Sequence, residues 1–409
     1  MKTNLTFTQA KEILHTQTIA PLGIERVFLH DALGRILAKG ILAPSHMPHF
    51  PLSRMDGYAF NSAFKDAKSF QILAENKAGN AIPTLPLDAP FAIKTFTGAK
   101  IPKNADMLAP IEDCQVENCE VEQNSLKIQA LPHIGQHIRQ VGENYKKGET
   151  LLQKGTRLNA HHIGLLASLN QVFVEVFTRP KVGILVSGNE LLELGENPSN
   201  TQDLYNANGH LLLAKVLENG AIPKLYPILK DDKAQIISSV QLALKECDMV
   251  ISSGGASVGD YDFITTLCKE REKEVVFKGV QIKPGQHIIY AHFNQKHFFA
   301  LPGFPNSTLV TFELFVKEIL LRLLGAKPTT TTLKIPLNQN ITKNDTRLEF
   351  RVCNVRNLKG SFSIDFEGKK DFQSAILNNF CPLDDAQVGL CILDSSKQSG
   401  EIVEVLLLS

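Results

Sequence analysis

Tryptophan is absent from the 409-residue chain, and aromatic residues make up only 7% of it, 23 phenylalanines against six tyrosines. So few flat polar rings give little basis for a surface that stacks nucleic-acid bases. An excess of one charge is lacking too: 43 Lys and Arg stand against 42 Asp and Glu, a net +1. No global field therefore draws the chain to nucleic acid or to a membrane surface. The seven cysteines, Cys114, Cys119, Cys247, Cys268, Cys353, Cys381 and Cys391, are odd in number and never spaced C-x-x-C. That pattern excludes a disulfide framework and a zinc knuckle, and fits reduced thiols in the cytoplasm. Long apolar runs are missing as well. The most apolar stretch, 307–324, is broken by Glu313, Lys317, Glu318 and Arg322, too charged to span a bilayer. Residues 1–14 lack the apolar segment of a secretory leader. Neither G-x-x-x-x-G-K-[ST] nor a G-x-G-x-x-G after the first α/β strand occurs, which removes the main supports for an ATPase or an NAD-dependent dehydrogenase.

What is present is an ordinary globular composition, 43% hydrophobic and 21% charged, long enough for more than one domain. Residues 1–45 read as helical and then irregular, with Thr8 as N-cap before Ala10, Ile13 and Leu14. From 50 to 132 short strands such as 108–111 and 126–130 are broken by Pro and Gly at 82–86 and 98–102, the texture of a compact β-rich region. Residues 178–325 alternate apolar strands with amphipathic helices, which predicts βαβ units and a mostly parallel sheet. Strands are expected over 181–186, 224–229, 248–252, 275–282 and 297–301, and helices over 206–219, 232–246 and 307–324. Residues 326–332 read as a linker, and alternation over 333–409 predicts a small β domain.

In an open α/β sheet, ligands bind beyond the carboxyl ends of the strands. The segments following the expected strands are Ser187-Gly188-Asn189-Glu190, Asp231-Asp232, the run 253–262, Lys283-Pro284-Gly285, and Pro302-Gly303-Phe304-Pro305-Asn306-Ser307. Glycines let backbone N–H groups approach an anion, and a helix start adds its dipole. Glu190, Asp232 and Asp262 are candidate ligands for Mg²⁺, and Lys283 for an oxyanion. The run 253–262 packs Gly254, Gly255, Gly259, Asp260 and Asp262 beside Ser253 and Ser257, more than a turn requires. Alternatives stand beside these readings: Asp232 also reads as a helix start, and Ser307 as a cap.

A serine hydrolase is a second alternative, because Gly255-Ala256-Ser257-Val258-Gly259 fits G-x-S-x-G between a strand and a helix. Its base would come from His287, His292 or His297, on or beside an expected hairpin. The pairs His46/His49, His133/His137 and His161/His162 lack a third ligand at metal spacing and read as surface or loop histidines.

Taken together, Ser53-Arg54-Met55-Asp56-Gly57-Tyr58-Ala59, Thr97-Gly98-Ala99, Ser187-Gly188-Asn189-Glu190-Leu191, the run 252–262, Lys283-Pro284-Gly285 and Leu301-Pro302-Gly303 resemble, in order and spacing, the molybdopterin molybdenumtransferases, the MoeA-type enzymes related to the C-terminal domain of gephyrin. The resemblance implies a homodimer of four-domain α/β subunits. These would be an elongated N-terminal domain (1–48 and 138–178), an inserted β-rich domain (49–137), an αβα molybdopterin-binding domain (179–326) and a C-terminal β-barrel (333–409). It implies insertion of molybdenum from molybdate into adenylylated molybdopterin, with Mg²⁺ and release of AMP. Catalysis would fall to Asp56, Glu190, Asp262 and Lys283. The ligand would be bound by Thr97, Ser187, Gly188, Ser253, Gly254, Gly255, Ser257, Gly259, Asp260, Pro284, Gly285, Pro302, Gly303 and Ser307, and metal by Glu190, Asp232 and Asp262. Asp56 and Thr97 would face the site of the other subunit. The molybdopterin adenylyltransferase and apo-molybdoenzymes are the implied protein partners. The chain departs from the family pattern at Pro51 or Leu52, where Asp is usual, at Phe304, where Asn is usual, and at Gln286, where Lys is usual; Arg347, Arg351 and Ser374 are suggestive in the C-terminal part. These departures leave open a non-catalytic paralogue that binds molybdopterin or acts as a scaffold.

Overall fold

The computed structural model describes residues 2–117, 124–254, 263–358, 360–370, 377–382 and 386–408. The chain divides into two compact units: Met1–Lys39 with Gly155–Ala167 and Gln171–Ser409, and Gly40–Lys154 with Ser168–Asn170. No helix among the described residues is long and apolar enough to cross a membrane.

The larger unit is built on a seven-stranded sheet in the order Lys2–Leu5, Val275–Val280, Ile289–Phe293, Lys296–Leu301, Met249–Ser253, Lys181–Val186, Ile222–Leu225. All neighbours run parallel except around Ile289–Phe293, which pairs antiparallel on both sides. Side chains alternate across the sheet, as a strand period of two requires. Val182, Ile184 and Val186 enter one core with Leu212 and Val216 of the helix Ala207–Glu218 and with Val310, Phe312 and Phe315. Leu185, Val250 and Phe298 enter the other with Ile236, Val240 and Leu244 of Lys233–Glu246 and Ile264 and Leu267 of Phe263–Glu270. Both faces are thus covered, which is why these strands read as continuous apolar runs.

Several boundaries differ from the sequence reading. Residues 2–5 are a strand ahead of the helix, where the sequence reading had a helical start, and they add in parallel to Val275–Val280. Thr6, not Thr8, caps the helix Phe7–Thr16: its Oγ1 accepts from Gln9 N at 3.2 Å while Gln9 Oε1 accepts from Thr6 N at 3.0 Å. The helix starts early because Phe7 packs against Phe315 and Phe350. The strand expected at 224–229 is Ile222–Leu225, and Leu229 makes only a bridge to Ser187. The strand expected at 275–282 is cut in two. Val275–Val280 stays in the sheet, and Ile282–Lys283 pairs in parallel with Leu348–Leu358 of a second sheet. The helix expected at 307–324 begins at Pro305 and carries a π-turn at Phe312–Val316 before Lys317–Leu323.

That second sheet runs Ile282–Lys283, Leu348–Leu358, Gln387–Leu393, Ile402–Leu407, Thr332–Pro336, with Ser361–Asp365 on the long strand. Ile335, Val355, Leu393 and Val405 form its core. The smaller unit carries a six-stranded sheet, Met107–Pro110, Gly57–Phe60, Phe91–Thr95, Phe70–Asn76, Ser125–Ile128, Cys114–Glu117, around Tyr58, Phe60, Phe70, Met107 and Leu126.

Candidate functional site

The chain leaves Lys181–Val186 for Ile222–Leu225 on one side and returns to Met249–Ser253 on the other, so the crossover reverses between Lys181–Val186 and Met249–Ser253. A crevice opens at such a reversal. Two loops meet there: Ser187 N donates to Ser253 O at 3.3 Å. Gly254 has φ +90°, and a Cβ on it would lie 2.6 Å from Ser187 O, so no other residue fits. At Gly188 a Cβ would stand 2.7 Å from both Glu190 carboxylate oxygens, so the missing side chain lets that carboxylate fold back over the loop. The loop after Lys296–Leu301 joins them: the Cβ position of Gly303 is 3.6 Å from Gly254 Cα, and Thr308 Oγ1 donates to Pro302 O at 2.6 Å. Ser253 and Ser307 are buried.

Asn208 ties these loops together, a residue the motif reading missed. Its Nδ2 donates to Ser253 Oγ at 2.9 Å and to Gly303 O at 2.7 Å. Its only sequence signal is its place in the first turn of the helix after the strand Lys181–Val186.

Lys283 reaches its place through the strand switch that the sequence reading missed, which sets it opposite Glu349 in the ladder. Glu349 is buried; its Oε1 accepts from Arg351 Nε at 2.8 Å, and its Oε2 lies 4.0 Å from Lys283 Nζ. Gly285, at φ +105°, would place a Cβ 2.4 Å from Thr311 Cγ2, which holds the Lys283-Pro284 turn tight against the helix. A cleft opens here, lined by Lys283, Pro284, Asn306, Glu349, Arg351 and Lys369 among others. Burial pushes the Lys369 ammonium below its usual range. Three cationic side chains against one carboxylate suit a small dianion. Arg347, itself paired with Asp345, donates to Gln286 Oε1, so a guanidinium stands beside the position where the family pattern has lysine.

The remaining expected residues divide. Asp232 caps its helix, Oδ1 accepting from Gln235 N at 2.7 Å, which leaves its other oxygen available. Asp231 and Asn189 exchange bonds of 3.2 and 3.3 Å, joining the loop after Leu229 to that after Val186. Gly255, Ser257, Gly259, Asp260 and Asp262 lie outside the described residues, as does Ser374. Among the described residues no three His, Cys, Asp or Glu side chains group as a metal cage.

In the smaller unit, Asp56 precedes the strand Gly57–Phe60 and Thr97 follows the neighbouring strand Phe91–Thr95. Asp56 Oδ1 accepts from Thr97 N at 2.7 Å and from Thr97 Oγ1 at 2.8 Å. Those bonds, the backbone one first, hold the exposed Asp56 carboxyl below its usual range. Ser53 N donates to Ala99 O and Gly98 N to Ser53 O, both at 2.9 Å, so the two motifs form one structure.

Of the histidines of the hydrolase reading, His287 is exposed, and His292 and His297 are engaged elsewhere. Tyr290 Oη is hydrogen-bonded to His292 Nε2 at 2.7 Å and to His297 Nδ1 at 2.8 Å across the hairpin. Burial lowers His297 to about 4. His162 pairs locally with Asn159, and His46 Nδ1 accepts from Lys147 N.

A doubly covered sheet with three glycine loops at its reversal point, and a cationic cleft fed by a strand that leaves it, define an α/β protein whose strand ends have the chemistry to suit an anion. Residues 5–170 match the MoeA N-terminal region (domain I and II), and residues 183–322 match a probable molybdopterin binding domain. The molybdopterin molybdenumtransferase of Bacillus subtilis (strain 168) is 34% identical over 305 residues, 72% of this chain and 70% of that one. That of Haemophilus influenzae is 32% identical over 383 residues, 90% and 89% of the two chains. The crystal structure of the molybdopterin biosynthesis MoeA protein from Pyrococcus horikoshii OT3 superposes with a TM-score of 0.81 at 27% identity, over 99% of this chain and 100% of that one. The chain belongs to the molybdopterin molybdenumtransferase family, a family of enzymes, and its role is in molybdenum cofactor biosynthesis.

Proposed function

We propose that this chain transfers molybdenum from molybdate to adenylylated molybdopterin and releases AMP, and that it works in the cytoplasm as a homodimer of four-domain subunits with the boundaries expected above. The observation that carries the reading is the pairing of two anion-ready places in one unit: the glycine loops at the sheet reversal and the Lys283–Arg351–Lys369 cleft. The backbone amides of 253–259, ahead of the helix Phe263–Glu270, would hold the phosphates, since N–H groups leading into a helix favour negative charge. Lys283 and Arg351 would seat molybdate, with buried Glu349 fixing their heads and limiting how tightly the dianion is held. Mg²⁺ takes one or two carboxylates and completes its shell with phosphate oxygens and water. Glu190, the second oxygen of Asp232 and Asp262 are the residues proposed to hold it, and when bound it would neutralise phosphate charge. Asp56, kept ionised by Thr97, is proposed to act at the site of the partner subunit.

A single-turnover reaction with adenylylated molybdopterin, Mg²⁺ and micromolar molybdate tests this, following AMP and pterin-bound molybdenum together. Coupled appearance of both is expected, with Lys283→Ala reducing molybdenum insertion by ten-fold or more, the order expected for removing a charge-assisted contact. Tight molybdopterin binding without AMP release would instead favour a non-catalytic binding protein.

A further inference from the structure

We propose that Asn208 reads the heterocycle of the bound ligand, its side-chain oxygen accepting a hydrogen bond from a ring or amino N–H. This role rests on the function proposed above and concerns how the same site tells its ligand from a bare anion. Asn208 lies in the first turn of the twelve-residue helix Ala207–Glu218, whose start faces the strand ends, and it is only 8% exposed. Both bonds of its Nδ2 go to loops of the crevice, to Ser253 Oγ and Gly303 O. The Gly303 carbonyl can only accept, so it fixes which end of the carboxamide is nitrogen. Oδ1 is left buried and without a hydrogen-bond partner. A buried amide acceptor in that state forfeits the hydrogen bond it would make in water, and native structures retain few of them.

The chemistry of the orphan atom names what it would receive. A carboxamide oxygen repels phosphate and molybdate oxygens, so the anionic end of the ligand belongs to the backbone amides and to Lys283. What Oδ1 can take is a donor. The proposed ligand has donors on two heterocycles, the pterin amide and amino groups and the adenine amino group. Held by two bonds from its own nitrogen, Asn208 presents its oxygen in one orientation, the preorganisation that makes a single hydrogen bond discriminate.

Equilibrium binding of molybdopterin, AMP, purine riboside 5′-monophosphate and molybdate to the full chain and to Asn208→Ala and Asn208→Leu tests the proposal. Weakening of one heterocycle by ten-fold or more in both variants, with molybdate binding and melting temperature kept, is the expected result. If molybdopterin weakens and AMP does not, the pterin is the donor. If AMP weakens, and purine riboside monophosphate already binds the unaltered chain as weakly as AMP binds the variants, the adenine amino group is. The ligand lacking the amino group leaves the protein untouched, so that arm does not depend on how the variants fold. Unchanged affinity for both heterocycles overturns the proposal, and so does a parallel loss for all ligands with a lower melting temperature, which would make Asn208 a clamp only. An unaltered chain that binds neither heterocycle removes the functional reading itself and this role with it, a result visible before any variant is made.

Discussion

His297 shows how one side chain can carry a pH dependence without taking part in the reaction. It is hydrogen-bonded to Tyr290, and burial first, then His292 and Arg322 nearby, lower it to about 4. Its unfolded value is near 6.5. Between those values the unfolded chain binds a proton that the folded chain refuses, so stability is full above about pH 6.5 and is lost as pH falls toward 4. The size of the loss is roughly 3 kcal/mol for a shift of this order. Urea denaturation at pH 7 and pH 4.5 should therefore show a drop in the unaltered chain that is smaller by about 2 kcal/mol in His297→Gln. An identical drop in both would mean that other groups carry it. Asp56 illustrates the opposite case: exposed, with its carboxyl lowered by Thr97, it stays ionised through the same range and remains available to a ligand.

At the scale of elements, local chemistry and long-range pairing were unequally visible. The strand Lys181–Val186 and the helix starts near Asn206 and Asp232 were readable because apolar runs and polar residues at a helix start act over a few positions. Lys2–Leu5 was not, since Lys-Thr-Asn-Leu carries almost no apolar pattern and becomes a strand only by pairing with residues some 270 positions away. The break at Gln281, which sends Lys283 to Glu349, is likewise decided by a partner strand. So the motif glycines and the loops of the site were legible, whereas Asn208 and Glu349, which hold those loops and Lys283 in place, were not. Phe304 gives a test at this scale. It occupies the cap position of Pro305–Thr311 with extended φ and ψ, offers no side-chain cap bond and is 60% exposed. Asn there would accept from a helix N–H and stabilise by about 1 kcal/mol. Phe304→Asn should thus raise the melting temperature by about 2 °C or more; a fall would show that the phenyl ring packs in a way that outweighs the cap.

For the whole molecule, the division into two units with separate cores makes a prediction about cooperativity. The smaller unit centres on Tyr58, Phe60, Phe70, Met107 and Leu126, and the larger on the two faces of its seven-stranded sheet. Each has a glycine whose replacement would press on the backbone of a neighbouring segment. A Cβ on Gly57 would sit 2.3 Å from Ala109 O, a backbone atom of the adjacent strand, and one on Gly254 would sit 2.6 Å from Ser187 O at a left-handed φ. Neither neighbour is the end of a flexible side chain, so the backbone must shift, at a cost of about 3 kcal/mol or more. Scanning calorimetry of the full chain is expected to give two transitions, because units with their own cores need not unfold together. Gly57→Ala should then lower one transition and Gly254→Ala the other. Both are expected to weaken molybdenum insertion, Gly57→Ala by displacing Asp56 and Gly254→Ala by prising the Ser187 and Ser253 loops apart. The calorimetric separation is what assigns each loss to its own unit. A single transition lowered equally by both substitutions would mean instead that the chain unfolds as one block, and the cores would have to be treated as one.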